Sequence, residues 1–260
     1  AAETELGALL GHVEAAGPSL LVVDSVQTIA SAQVEGSAGG VTQVRAVAGA
    51  LIAVAKERNI PVLLVGEYKE RSPLGRAEWL RAVGFLMGRA AMADSAFAQI
   101  AARYSRQCDR VKTAWHRPKV LINAPWQDTW YIPGADSYMA HLIADAGGEL
   151  LTAGHQDADS HSVSFEVALG LGMQAEYWLH PGCETLHALR SMHPAFGGFP
   201  SVEVRQVYGN TRRVNAKGGN DFWESGVVHP DLLLRDLVRT CTPTRGHGPI
   251  RSTTTDDCSN

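Results

Sequence analysis

Residues 60–79 read IPVLLVGEYKERSPLGRAEW, and the chain changes character inside them. Residues 60–65 are a short, nearly unbroken apolar run with Pro61 at its edge, which predicts a buried parallel strand. At the far end a helix begins. Ser72 can cap it, and Pro73 suits a first helical position because its missing N–H would be unpaired there anyway. Leu80, Val83, Leu86, Met87 and Ala90 then form an apolar stripe.

Upstream of this stretch, Leu6, Leu9, Leu10 and Val13 recur at helical spacing until Gly17-Pro18 stops the pattern. The apolar run 20–23 reads as a strand delivering Asp24 to a Gly/Ser-rich loop over 31–40. A second helix follows with Val44, Val47, Ala48, Leu51, Ile52 and Ala55 on one face, and it leads into the run at 60–65. Strand, helix and strand in that order predict a right-handed parallel crossover.

Downstream, the helix from Pro73 is expected to continue, with a break near Gly88, through Phe97, Ile100, Tyr104 and Cys108. Strands are expected at 119–123, 150–152, 177–179 and 204–208, and helices at 137–146, 164–172, 184–192 and from Pro230. This alternation predicts an α/β fold with parallel sheets and covering helices. The expected division is a strand-helix-strand piece over 1–66, a helical segment over 67–116, an α/β lobe over 117–243 and a disordered polar tail over 244–260.

Composition narrows the function. A chain of 260 residues that is 45% hydrophobic has enough apolar material for a real core. A net charge of -4 gives no basic field to displace counterions from phosphates, so nucleic acid is not an expected partner. No run of about 18 apolar residues and no basic-then-apolar leader is present in these residues. Cys108, Cys183, Cys241 and Cys258 form no C-x-x-C pair and predict neither a zinc site nor a disulfide framework.

Two loops carry the residue types that a large, partly apolar solute needs, namely aromatic faces with a few fixed polar groups. The loop over 125–133 offers Trp126, Trp130 and Tyr131 just after a strand. The loop over 210–226 offers Arg212 and Arg213 for solute carboxylates, Asn215 and Asn220 as neutral hydrogen-bonding groups, and Trp223 as a stacking surface. The competing reading puts these aromatics in the lobe's core, where such side chains are equally at home. Taken together, the two loops favour a cleft.

The pattern His155, Asp157, Asp159, His161 can gather side chains on a cation, but Ala158, Ser160 and Ser162 between them favour a solvated connection, so no metal is expected. His180, His193 and His229 each precede a proline and read as turn residues. No Ser/His/Asp or Cys/His arrangement can be assembled from spacing. No catalytic residue and no cofactor are expected.

Two resemblances follow from particular strings. Glu3 with its ETEL run, SLLVVDSVQTIAS from Ser19, and GVTQVRAVAGALIAVAKERNIPVLLVG from Gly40 resemble the ATPase core of the RadA family of bacterial DNA-repair proteins, which are RecA-like. That resemblance implies that Asp24 matches the strand-end carboxylate holding the water shell of a nucleotide-bound Mg²⁺. Activity also needs a phosphate-cradling G-x-x-x-x-G-K-[ST] string, and these residues contain none. Asp24 is therefore expected to be vestigial.

SPLGRAEW from Ser72, RPKVLINAPWQDTWYIPGADSYMAHLIADAGGELL from Arg117, AEYWLHPG from Ala175 and RRVNAKGGNDFWESGVVHPDLLLRDLVR from Arg212 resemble the substrate-binding proteins of ABC importers for iron-siderophore complexes, haem or cobalamin. This second resemblance covers about 67–243. It implies two parallel-sheet lobes joined by a long backbone helix, as in class III periplasmic binding proteins, with a metal chelate held non-covalently in the cleft and the N-terminal lobe truncated here. It also implies an ABC permease as partner, with Glu166 as the exposed acid that docks it, and a periplasmic or lipid-anchored location if a leader was removed, cytoplasmic otherwise. The whole reads as a chimera joined between Val62 and Glu67. The alternatives are a RecA-like fragment without its phosphate loop, or a fusion without function. Two open strands near the N-terminus predict self-association there.

Overall fold

The computed structural model describes residues 3–126, 129–216, 218–241 and 256–257. Compact packing divides the chain into Ala1–Val65 and Gly66–Asn260.

In the first unit, helix α1 (Leu6–Ala16) starts where the Glu5 carboxylate accepts the N–H of Ala8, and it ends at Gly17. Gly17 has a φ of 52°, a left-handed conformation that suits a residue without Cβ. Helix α2 (Val41–Glu57) presents Val47 to Leu6 and Ile29, and these three make a small core. Gln43 ties the Gly/Ser-rich loop to α2. Its buried amide accepts the Ser31 N–H at 2.8 Å and donates to the carbonyls of Ser31, Val34 and Gly36.

The expected strands at 20–23 and 60–65 do not form, which corrects the strand-helix-strand reading of this unit. Val22 and Leu64 are 76% and 75% exposed. A parallel strand persists only when a neighbour takes its N–H and C=O groups. Among the described residues of this unit the only pairing is an isolated bridge between Glu5 and Ala30.

The second unit is α/β. Helices α3 (Pro73–Leu86) and α4 (Ala90–Val111) are separate elements packed side by side, where one interrupted helix was expected. Gly88, at a φ of 66°, turns the chain between them. Gly84 makes the close approach possible, because a Cβ there would collide with the Cβ of Ala93.

The sheet follows from β1 (Lys119–Ile122), β3 (Glu149–Leu150), β5 (Tyr177–Leu179) and β6 (Val207–Gly209), all parallel, in the order β3-β1-β5-β6. β7 (Asp256–Asp257) adds an antiparallel edge beside β6. The tail was expected to have no structure, so this short pairing differs from expectation; 244–255 and 258–260 lie outside the described residues.

Side chains alternate across the sheet, as strand geometry requires. Val120, Ile122, Tyr177 and Leu179 face one layer with α4, α5 (Tyr138–Asp145) and α10 (Pro230–Cys241). Leu121, Trp178 and Val207 face the other, with α6 (Phe165–Gly172), α7 (Leu186–Met192) and α8 (Pro200–Glu203). That second layer also receives an antiparallel ribbon of β2 (Trp130–Pro133) and β4 (Ser160–Val163), both expected as loops. A last short helix, α9 (Ser225–Val228), precedes α10.

Candidate functional site

The order of the parallel strands brackets the site. β1 lies between β3 and β5, so the chain leaves its carboxyl end toward β3 and later crosses to β5 on the opposite side. Open α/β sheets hold ligands in the crevice formed where the order reverses in this way. Three residues just past the strand ends adopt left-handed backbone: Asn123 (φ 64°), Ala153 (φ 53°) and His180 (φ 54°). Non-glycine residues rarely do so, and such conformations concentrate at sites. His180 was expected to be a turn residue before Pro181.

A cavity of about 570 Å³ opens at the carboxyl end of β1. Ile122, Asn123, Pro133, Tyr138, Arg76 and Trp223 contribute to its wall, with Ser137, Asp159 and the segment from Tyr68 to Arg71. Each is placed by a local cause. Ser137 caps α5 by accepting the Ala140 N–H at 3.2 Å, which fixes Tyr138 as the first helical residue. Ser72 caps α3 through the Gly75 N–H at 2.9 Å, which brings Arg76 round to the same wall. Asn123 Nδ2 donates to the Tyr131 carbonyl at 3.0 Å and so joins the end of β1 to the ribbon.

The guanidinium of Arg76 lies over the Tyr138 ring, with Cζ 4.2 Å from the ring centroid. Its Nη2 donates to the Tyr68 carbonyl at 2.8 Å. Arg76 Nε and Tyr138 Oη are both buried without a hydrogen-bond partner among the described protein groups. Burial pushes the Tyr138 hydroxyl up to about 12. Nearby, Asp136 accepts from Arg71 and from His141 Nε2, the latter at 2.9 Å. The His141 hydrogen bond, with Arg71 adding to it, holds the Asp136 carboxyl below its ordinary range.

The expected binding residues divide. Trp223 lines the cavity, 46% exposed, edge-on to Phe222 and tilted toward Tyr138. Trp126 and Tyr131 are exposed but outside its wall. Trp130 is corrected from cleft to core. It is 1% exposed, stacks on Trp178, meets Phe196 edge-on, and donates Nε1–H to the Ile122 carbonyl at 3.1 Å. Alternation along β2 sends Trp130 inward and Tyr131 outward, so the two cannot serve one face.

In the second loop the side chains mostly hold the loop itself. Asn220 accepts the Phe222 N–H at 3.0 Å, Asn215 accepts the Gly219 N–H at 2.9 Å, and Arg213 pairs with Asp221 at 3.0 Å. Arg212 is exposed on the surface. None of these four lines the cavity. Arg71, Arg76, Asn123 and Tyr138 do, and the sequence reading passed over them. For Arg76 the signal available was SPLGRAEW, which carried a helix cap and a family resemblance but no assigned role for its arginine.

Other expected features have plain positions. Glu166 is exposed in the first turn of α6, and its own N–H with the Ser164 hydroxyl holds its carboxyl below the usual range. Asp24 is exposed in the first unit. His155 and His161 stack with ring centroids 3.8 Å apart, and His161 Nε2 is 2.6 Å from Asp157 Oδ1. No group of three or more His, Cys, Asp or Glu among the described residues is arranged to hold a metal ion. His180 is buried against Phe222, both ring nitrogens have no hydrogen-bond partner among the described residues, and burial holds its pKa down to about 4. Cys108 and Cys241 are free thiols, Cys183 is half-buried, and Cys258 lies outside the described residues.

The family model described as periplasmic binding protein matches residues 52–212. An uncharacterised lipoprotein of Methanocaldococcus jannaschii is 22% identical over 197 residues, 74% of this chain and 45% of that one. The DNA repair protein RadA of Mycobacterium tuberculosis is 46% identical over 66 residues, 25% of this chain and 14% of that one. The chain thus spans less than half the length of these curated relatives. Among solved structures, a possible iron-binding (periplasmic solute-binding) protein from Staphylococcus epidermidis superposes with a TM-score of 0.58 at 13% identity, covering 76% of this chain and 73% of that one. A periplasmic haem-binding protein from Pseudomonas aeruginosa gives 0.57 at 15% identity, covering 81% and 73%. At these identities the likeness is one of fold.

Proposed function

Because the chain belongs to the periplasmic binding protein family, we propose that it is the solute-binding component of an ABC importer and captures a metal chelate, of the iron-siderophore, haem or cobalamin kind, without chemical change. The observation that carries this reading is the cavity of about 570 Å³ at the carboxyl end of β1, walled by Tyr138, Trp223 and Arg76. Its size and its mixture of aromatic faces with polar and charged groups suit a large, partly apolar ligand. The neighbouring folds include proteins described as iron-binding and haem-binding.

Exposed Glu166 is the proposed contact for the permease, and an exported or lipid-anchored location goes with such a role. No helix among the described residues is long and apolar enough to cross a membrane. In the first unit, the exposed runs 20–22 and 60–65 are proposed to drive self-association, since large contiguous apolar surfaces seek cover. Titration calorimetry with ferric citrate, haem and cobalamin tests the main reading: one of them should bind with a stoichiometry near one. Heat of dilution alone for every chelate would refute it.

A further inference from the structure

We propose that His180 and the turn over Asp221–Trp223 form an acid-sensitive latch on the cavity: a second proton on the buried imidazole opens the turn and withdraws Trp223 from the wall. The part played by the solute rests on the solute-binding reading above; the movement of the turn does not. His180 lies just past β5, is only 7% exposed and has a left-handed φ of 54°. Its main chain is pinned, because its N–H donates to the Tyr208 carbonyl at 2.8 Å and the Leu179 carbonyl accepts the Asn123 N–H at 3.0 Å. The ring meets Phe222 edge-on with centroids 4.5 Å apart, and Phe222 meets Trp223 edge-on at 4.7 Å. Trp223 in turn lines the cavity.

A neutral imidazole has one N–H and one lone pair to satisfy, and neither nitrogen has a hydrogen-bond partner among the described residues. A second proton adds a charge in the same dry place. Burial is the one cause that moves His180 from its ordinary 6.5 to about 4, with no charged neighbour adding to it. Charged and titratable side chains on the adjoining segments are engaged elsewhere: Asp221 with Arg213, Glu224 with Asn215, Tyr208 with Gln206, and Asp231 with Arg103 and His229. Relief therefore comes from movement. The sheet holds the main chain at His180, whereas local bonds hold the turn. Asn220 accepts the Phe222 N–H through its side chain at 3.0 Å and the Trp223 N–H through its carbonyl at 2.9 Å. Short segments with local bonding open at lower cost than sheet strands. In the open turn His180 regains its ordinary pKa, so the open form gains on the closed one as the pH falls from 6.5 toward 4. Between pH 7 and 5 the gain is about twentyfold.

Hydrogen exchange of the full chain, read at the Phe222 and Trp223 amides at pH 7 and 5, tests the latch in wild type, His180→Phe and His180→Asn. Phenylalanine can pack on Phe222, asparagine tolerates the left-handed backbone, and neither titrates. Melting would establish that each variant folds. In wild type both amides should lose about twentyfold in protection at pH 5, after correction for the intrinsic pH dependence of exchange, at rates that dilute urea does not raise. Either folded variant should lose less than about twofold, having no proton to take up. A wild-type loss that rises with urea and tracks the sheet amide of Trp178 is global unfolding and would overturn the latch, as would an equal loss in the variants. Ferric citrate, haem and cobalamin would then be added in separate samples, with calorimetry to establish binding. A bound chelate at about 100 times its Kd should raise the protection of both amides about a hundredfold. A bound chelate that leaves them unchanged would separate the turn from the cavity and overturn the proposal. If no chelate binds and the acid response is seen, the solute-binding reading falls and the movement of the turn stands.

Discussion

Trp130 and Tyr131 are consecutive residues of β2 with opposite fates: Trp130 is 1% exposed against Trp178, and Tyr131 is 45% exposed on the other side of the ribbon. One pleat separates a core anchor from a surface ring, and mutations can tell them apart. Trp130→Ala should cost about 3–5 kcal/mol of stability in urea denaturation, as truncation of a buried aromatic does. Tyr131→Ala should cost well under about 1 kcal/mol. Equal costs would show that β2 is not set in this register.

Trp223 should behave in the opposite way to Trp130. Its ring is half exposed on the cavity wall, so Trp223→Ala should leave the melting temperature within a few degrees and weaken chelate binding about tenfold. Parallel melting and calorimetry on the same variant check this. A large loss of stability with unchanged affinity would make Trp223 a packing residue.

His180 predicts a pH dependence with a definite sign. Burial lowers its pKa from 6.5 in the open chain to about 4 in the folded protein, so the unfolded chain takes up the proton first. Its contribution is fully present above about pH 6.5 and is lost as the pH falls toward 4, by up to about 1.4 kcal/mol per unit and roughly 3 kcal/mol in all. Urea midpoints between pH 7 and 4 should show this fall, and His180→Phe, which can still pack on Phe222, should flatten it. An unchanged slope in that variant would place the dependence elsewhere.

Self-association should depend on the first unit. Val22 and Leu64 are among the most exposed apolar residues there, so Val22→Lys with Leu64→Lys should shift sedimentation toward monomer without lowering stability. A wild-type chain that sediments as a monomer at all concentrations would contradict the proposal.

The parallel sheet was legible because its strands are apolar runs set between capped helices, and burial on both faces leaves just that pattern. The ribbon was not. β2 contains Pro133, β4 reads SHSV, and two short strands that pair only with each other carry no run long enough to stand out. In the first unit the error ran the other way: runs 20–23 and 60–65 have strand composition, but strand formation depends on a partner, which local sequence does not supply. The candidate site was read from aromatic-rich loops, which found Trp223 and misplaced Trp130. Arg76 and Tyr138 were hidden because each sits one turn or less inside a helix that its sequence explains by capping alone. Only the tertiary packing that brings α3 beside α5 reveals them as a pair.

Thermal melting of the full chain with ferric citrate, haem, cobalamin and Mg-ATP in separate samples distinguishes a chain that binds a metal chelate from one that binds a nucleotide. A ligand that binds only the folded state stabilises it by RT ln(1 + [L]/Kd). At about 100 times Kd that is about 2.7 kcal/mol, a rise of several degrees. At least one chelate should give that rise and Mg-ATP none. A rise with Mg-ATP alone would contradict it.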